Sequence, residues 1–197
     1  MEVFVAPEGD VTPWEEHTAF LPTLALVLAR PRRFFARMAD GDVGHAWTFA
    51  ALCCLVPRLL YGVTDGRGGP WMMLLRASLS AAVQAASATF FLGSAHFLFT
   101  FALARQHAHW RISARAAAYA QPITMVIGTL VAAAMLYEPA WRESVALRDG
   151  ALLASAAWYS VPLFWVGRDR LGLDVGRALA ASLLTSFGLL LALRAIS

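Results

Sequence analysis

The chain of 197 residues is 59% hydrophobic, has a mean hydropathy of +0.58 and carries only 15% charged residues, where soluble domains carry about 25%. A soluble fold of this length has too little interior for so much apolar surface, so the composition predicts an integral membrane protein. The net charge of +3 is small and spread along the chain, so a nucleic-acid partner is not expected.

The segment before the first long apolar stretch has two parts. Residues 1–19 are acidic and contain two prolines, so we expect a flexible tail. Residues 20–38 combine an apolar run too short to span a bilayer with a short helix beginning at Pro31. We expect an amphipathic segment in the membrane surface; a cap packed on the rest of the protein is the alternative. The expected lipid contacts are Arg32, Arg33, Phe34, Phe35 and Arg37.

Five apolar stretches follow and predict an all-α fold, a bundle of five transmembrane helices over residues 44–197. The second stretch is too long for one upright span and too short for two, so we expect one long tilted helix with Gly93 as the candidate break point. Pro57, Pro122 and Pro162 are candidate breaks in three others. The predicted spans are residues 46–63, 74–101, 116–137, 150–167 and 178–193.

Small residues recur at every fourth position in three of these spans. Such repeats let neighbouring helices approach closely, so we expect packing faces rather than catalytic ones. The repeats are Ala77, Ala81, Ala85, Thr89 and Gly93 in the second span, Ala120, Thr124, Gly128 and Ala132 in the third, and Ala178, Ser182 and Ser186 in the fifth.

The arginines predict the orientation, because cytoplasmic loops of membrane proteins carry an excess of basic residues. With the N-terminus inside, ten arginines fall on cytoplasmic segments and six on the opposite side. We therefore expect a cytoplasmic N-terminus and, after an odd number of spans, a C-terminus outside.

Catalytic chemistry is not expected. The predicted spans contain no acidic residue, and the chain has neither a GxSxG motif nor a glycine-rich phosphate loop before a helix. His96, His107 and His109 lie close in sequence, but no carboxylate or cysteine nearby completes a zinc set. Cys53 and Cys54 are adjacent and point to different sides of a helix. The prediction is a protein with no catalytic residues, no metal and no cofactor.

The best candidate for a functional face is the stretch WRISARAAAYAQP, where a basic loop enters the third span. Arg111, Arg115 and Tyr119 are four residues apart and share one side of a helix, and Pro122 follows them. Arg115 is placed for a cation–π contact with Tyr119. We add His96 to this face, since an ionisable group at membrane depth usually faces the bundle interior. Ordinary anchoring at the interface is the alternative.

Pro122 has a second consequence for this stretch. A proline removes one backbone hydrogen bond and frees a carbonyl one turn back, near Ala118. We expect an arginine or the Gln121 side chain to take that carbonyl.

Three elements, in this order, resemble the bacterial branch of the Yip family, multispan membrane proteins named for interaction with Rab/Ypt-type GTPases. They are a P-x-x-FF helix before the membrane, a histidine near the end of the second span, and an arginine–alanine–tyrosine–proline start to the third. The resemblance extends over roughly residues 24–190 and is carried by Pro31, Phe34, Phe35, His96, Arg115, Ala118, Tyr119, Ala120 and Pro122.

The resemblance implies a five-helix bundle with a cytoplasmic N-terminus, here in the bacterial inner membrane. Eukaryotic members are linked to vesicle trafficking and GTPase recruitment. This chain lacks a long cytoplasmic N-terminal region and a clear aspartate–leucine–x–glycine–proline motif, so a GTPase partner is not expected. The predicted function is a membrane scaffold acting through lipids, a second copy of the chain or other membrane proteins. The alternative is a small transporter or lipid-translocating protein.

Overall fold

The computed structural model describes residues 20–38, 42–65, 69–104 and 109–196. The predicted tail, residues 1–19, lies outside the described residues. Within the described ranges the chain forms eight α-helices and one short 3-10 helix, Pro139–Glu143. The α-helices are α1 Phe20–Ala29, α2 Pro31–Arg37, α3 Val43–Asp65, α4 Pro70–Leu103, α5 Trp110–Tyr119, α6 Pro122–Tyr137, α7 Val145–Asp169 and α8 Val175–Ile196.

Four helical stretches of the described chain are long and apolar enough to cross a membrane: Val43–Val63, Pro70–Leu103, Trp110–Tyr137 and Val145–Asp169. In the apolar 18-residue stretch that qualifies each helix, at most 33% of the residues are buried inside the protein, so most residues of these stretches keep exposed surface that lipid can cover. Four of the five predicted spans are therefore helices of membrane-crossing length. The region of the fifth is α8, which packs on α7 and α4.

The second span is a single helix, α4, which runs unbroken for 34 residues. The break considered at Gly93 is therefore absent. Gly93 instead marks the closest approach of α5, because a Cβ added there would lie 2.7 Å from the Cα of Ala114. The small-residue repeat on α4 is buried along its whole length, as a packing face should be.

The third span is divided in two. α5 ends at Tyr119 and α6 begins at Pro122, since proline has no N–H to continue the helical ladder. Pro57 and Pro162 lie inside α3 and α7, which continue past them, so the breaks expected there do not occur. α6 lies tightly on α3: a Cβ added at Gly128 would lie 2.8 Å from the Cβ of Pro57.

The segment before the first span packs on the bundle, which was the alternative considered from the sequence. α2 contacts α7, and α1 contacts α6. Phe34 is 5% exposed and Phe35 is fully buried, and the Phe34 ring meets the Tyr119 ring edge-on at 5.1 Å. The expected lipid contact therefore does not hold for these two phenylalanines, because rings of the bundle cover them. The arginines of the segment are exposed: Arg32, Arg33 and Arg37.

Candidate functional site

The helix that carries the predicted face, α5, is buried along nearly its whole length. Every residue from 112 to 119 is buried, and α5 contacts α3, α4 and α7. Four of these residues are alanines, whose small side chains allow three helices to surround a fourth. The predicted face therefore lies inside the protein.

The residues of that face are divided between interior and surface. Arg115 is 3% exposed and Tyr119 is 6% exposed, whereas Arg111, one turn earlier, is exposed. The guanidinium carbon of Arg115 lies 6.0 Å from the centroid of the Tyr119 ring, so the predicted cation–π contact is present. The same ring packs against Phe34 of α2 and Phe49 of α3, with centroids 5.1 and 5.3 Å away. Tyr119 thus joins α5 to the segment before the membrane.

His96 connects α4 with α5. It is fully buried, and its Nδ1 lies 2.9 Å from the Oγ of Ser113. Its ring also lies beside the backbone of Leu163 on α7. These contacts close His96 off from water. No three histidine, cysteine or acidic side chains of the described chain could hold a metal ion together; His107 lies outside the described residues, and His109 precedes α5.

A polar cluster that the sequence analysis did not single out lies at the break between α5 and α6. We call Gln121, Thr124 and Tyr159 the Gln121 cluster. Gln121 is fully buried, and its Oε1 accepts hydrogen bonds from the Thr124 hydroxyl at 2.9 Å and the Tyr159 hydroxyl at 3.0 Å. The two hydroxyl oxygens are 2.6 Å apart. The cluster ties α6 to α7 inside the bundle.

The same region satisfies carbonyls that the helix break would leave unpaired. The Gln121 Nε2 donates to the carbonyl of Ala117 at 3.2 Å, and the indole N–H of Trp158 donates to the carbonyl of Ala120 at 3.2 Å. The carbonyl of Ala118, which we expected an arginine or the Gln121 side chain to take, accepts from the Gln121 backbone N–H instead. The side chain and the backbone of Gln121 thus satisfy two carbonyls at the C-terminal end of α5.

A second group of contacts fixes α2 at the C-terminal end of α7. The guanidinium carbon of Arg32 lies 4.7 Å from the centroid of the Trp165 ring, and that of Arg168 lies 5.7 Å from it. The Arg32 Nε is also 4.0 Å from a carboxylate oxygen of Asp169. Exposed ion pairs of this kind contribute little, about 0–1 kcal/mol, so the buried rings hold α2 and the arginines form a charged rim.

Comparisons with family models, with characterised proteins and with solved structures found no match to this chain. The resemblance to the Yip family therefore stays a prediction. Several residues on which it rests do meet in the structure, since Phe34 contacts both Phe35 and Tyr119, and Arg115 lies over the Tyr119 ring.

Proposed function

We propose that this chain is a non-enzymatic membrane scaffold of the Yip type, placed in a bacterial cytoplasmic membrane with its N-terminus inside and its C-terminus outside. The observation that carries the proposal is the closure of the predicted face. His96, Arg115 and Tyr119 are between 0% and 6% exposed and are held by neighbouring helices. Catalysis or transport needs groups that a substrate can reach, whereas a scaffold needs groups that fix its shape.

A five-span arrangement completes this proposal. α8 has 22 residues, about 33 Å of helix, which is enough for a hydrocarbon core of about 30 Å. The small residues that repeat along it, Ala178, Ser182 and Ser186, are buried, where α8 packs on α7 and α4. α8 is thus suited to be the fifth span.

The outer surface supplies the contacts through which a scaffold acts. It carries large apolar side chains, which fit lipid tails or the helices of another protein. At the end of the bundle where α2 packs, the charged rim formed by Arg32 and Arg168 is suited to anionic headgroups. Each basic residue near the surface contributes about 1 kcal/mol to that attraction. Examples of the exposed apolar residues are Phe90, Phe91, Leu98, Leu130 and Leu153.

Reconstitution into liposomes, combined with photo-crosslinking in cells, tests the proposal. We expect no faster lipid exchange between leaflets than in empty liposomes. We expect a photoreactive residue at Phe90 or Leu130 to give discrete adducts with a second copy or another membrane protein. The buried Ala85 is the matched control position and should give only intramolecular adducts. Rapid lipid exchange without protein adducts would overturn the scaffold in favour of translocation.

One observation supports the second candidate, a small transporter or lipid-translocating protein. A cavity of about 400 Å³ lies between α3, α4, α6 and α7, within the range of about 300–1,000 Å³ typical of ligand pockets. The scaffold remains the first choice, because the cavity is lined by residues other than those of the buried face.

A further inference from the structure

The cavity between α3, α4, α6 and α7 lies at one end of the bundle. It is lined by the second half of α3, by α6, by the residues linking α6 to α7, and by the first turns of α7. The chain passes from α3 to α4 and from α6 to α7 at this same end. α2 packs at the other end, against Trp165 near the end of α7. The cavity is therefore separate from the arginine rim.

Three arginines line this cavity, Arg58, Arg142 and Arg148, and none of its lining residues is acidic. Glu143 and Asp149 follow two of these arginines in sequence but are not among the lining residues. The cavity thus concentrates positive charge in a partly enclosed, low-dielectric space, which attracts anions more strongly than an open surface does.

Arg58 shows how this charge is held at membrane depth. It lies within α3, and its Nε donates to the Oε1 of Gln84 on α4 at 3.0 Å. Gln84 is a neutral acceptor, so this hydrogen bond orients the guanidinium without neutralising its charge. A charged side chain inside a span is costly unless it faces a cavity or a partner. Its position on the cavity wall is that of a ligand-binding arginine.

The remaining wall is apolar except for the Gln84 amide and four hydroxyl groups, two of them from Ser144 and Ser155. Tyr61 and Thr124 supply the other two hydroxyls. Arginine forks match the oxygens of phosphate groups, often with two parallel hydrogen bonds, while an apolar wall matches hydrocarbon. Arg142 and Tyr61 also interact with other groups of the protein, so phosphate binding is assigned to Arg58 and Arg148. The apolar side chains are Ile127, Val131, Met135 and Leu152.

We propose that this cavity binds one anionic phospholipid, with the phosphate held by Arg58 and Arg148 and the first part of an acyl chain lying along α6 and α7. A free phosphate ion has the same charged oxygens as the headgroup but makes no favourable contact with the apolar wall. This inference goes beyond the proposed scaffold and does not depend on it, since a scaffold or a transporter could hold such a lipid.

Ligand-dependent thermal unfolding of the delipidated full chain in mild detergent tests the proposal. The probes are dioleoyl phosphatidic acid, dioleoyl phosphatidylcholine and inorganic phosphate at matched concentrations. We expect saturable stabilisation by phosphatidic acid at one lipid per chain, counted by native mass spectrometry. Phosphatidylcholine, whose headgroup carries no net charge, and inorganic phosphate should bind at least about tenfold more weakly.

Variants separate the cavity from general surface charge. Arg148→Gln removes one charge at an exposed position, so the chain should fold normally, and phosphatidic acid should bind about tenfold more weakly, the effect of one lost charge-assisted hydrogen bond. Arg76→Gln is the matched control, because Arg76 is exposed on the first turns of α4 and does not line the cavity; its affinity should stay unchanged. Ala151→Phe fills the cavity without altering charge and should also weaken lipid binding.

Three results would overturn the assignment. Equal binding of phosphatidic acid and phosphatidylcholine would remove the role of the arginines. Equal losses in Arg76→Gln and Arg148→Gln would place the effect on surface charge alone. Saturation by inorganic phosphate at the concentration that saturates phosphatidic acid, unaffected by Ala151→Phe, would assign the site to the free ion.

Discussion

Gln121 satisfies three polar groups of the interior with a single side chain. Its amide oxygen serves two hydroxyls, and its amide nitrogen serves a backbone carbonyl. We expect Gln121→Met, which keeps the length but removes both functions, to lower the free energy of unfolding by about 1–3 kcal/mol. The lower part of this range is favoured, because polar contacts between membrane helices average about 0.6 kcal/mol. Unfolding by SDS titration in mixed micelles measures the change.

Tyr159→Phe removes a hydroxyl that donates to Gln121 and completes a double-mutant cycle with Gln121→Met. If the Gln121 cluster acts as a unit, the loss in the double variant should be smaller than the sum of the two single losses by about 0.5 kcal/mol or more. Strict additivity would mean that the two side chains contribute independently, contrary to the hydrogen bond between them.

At Gly93 and Gly128 a neighbouring helix comes close with atoms that cannot move aside, the backbone of Ala114 and the ring of Pro57. A Cβ at either would come within 2.7–2.8 Å of a neighbouring helix. We therefore expect Gly93→Ala and Gly128→Ala each to destabilise the bundle by about 1–3 kcal/mol, the usual cost of overpacking. Thermal unfolding in detergent checks this.

Gly188→Ala is the control for both glycine variants. No atom lies within 4 Å of a Cβ added at Gly188, and alanine is a better helix former than glycine by about 0.5–1 kcal/mol. Its unfolding temperature should stay equal or rise. A similar fall in all three variants would attribute the effect to alanine in general rather than to tight packing.

At the residue scale, the contacts that could be predicted from the sequence were those that follow from helical periodicity. The repeat from Ala77 to Gly93 predicted a packing face because positions four apart share one side of a helix, and the repeat is buried. The sequence did not identify Gln121 as the centre of a polar cluster, because its partner Tyr159 lies 38 residues away on another helix. One signal was available in the sequence. Gln121 is a single amide side chain next to a proline in an apolar stretch, where a buried amide needs hydrogen-bond partners.

At the scale of helices, the segment α1–α2 shows how one pattern fits two environments. Phenylalanines flanked by arginines suit a membrane surface, but they suit a docking site on the protein equally well. The structure buries Phe34 and Phe35 against the bundle. Periodicity records only which side of a helix is apolar, so it could not choose between lipid and protein as the cover.

Docking of this segment gives a prediction of its own. We expect Phe35→Ala to destabilise the attachment of α1–α2 by about 3 kcal/mol or more, the usual cost of emptying a buried phenylalanine site. Limited proteolysis should then cut after the exposed Arg33 or Arg37 at least several times faster. Leu21→Ala, which removes a side chain that is 70% exposed, is the control and should leave cleavage unchanged. Equal acceleration by both would indicate a segment held by lipid alone.

The helix breaks follow from the backbone chemistry of the residues involved. Gly93 keeps its N–H, so α4 passes through it without interruption. Pro122 removes an N–H, and the chain divides into α5 and α6 there. Pro57 and Pro162 are accommodated inside α3 and α7, as neighbouring helices often allow in membranes. The sequence marked where a break could occur, while packing decided where it did.

At the scale of the whole molecule, the cavity was the feature least accessible to sequence reasoning. Arg148 follows Arg58 by 90 positions on a different helix, and each alone suggests a residue near a membrane boundary. Only the packing of α3 and α6 beside α7, which runs in the opposite direction, brings them to one space. The four long apolar helices of the described chain were predictable, because length and hydropathy are local properties. The space enclosed between them was not.

The arrangement in the membrane gives the last prediction. Cys53 and Cys54 are fully buried, so a membrane-impermeant maleimide should label only cysteines that are introduced. Trp141→Cys, at the cavity end, should be labelled in intact cells, and Val175→Cys, at the start of α8, only after the cells are opened. Alkaline phosphatase fused after residue 197 should be active, since α8 as a fifth span carries the C-terminus outside. Activity of a phosphatase fused at the N-terminus, or labelling of both cysteines in intact cells, would contradict the proposed topology.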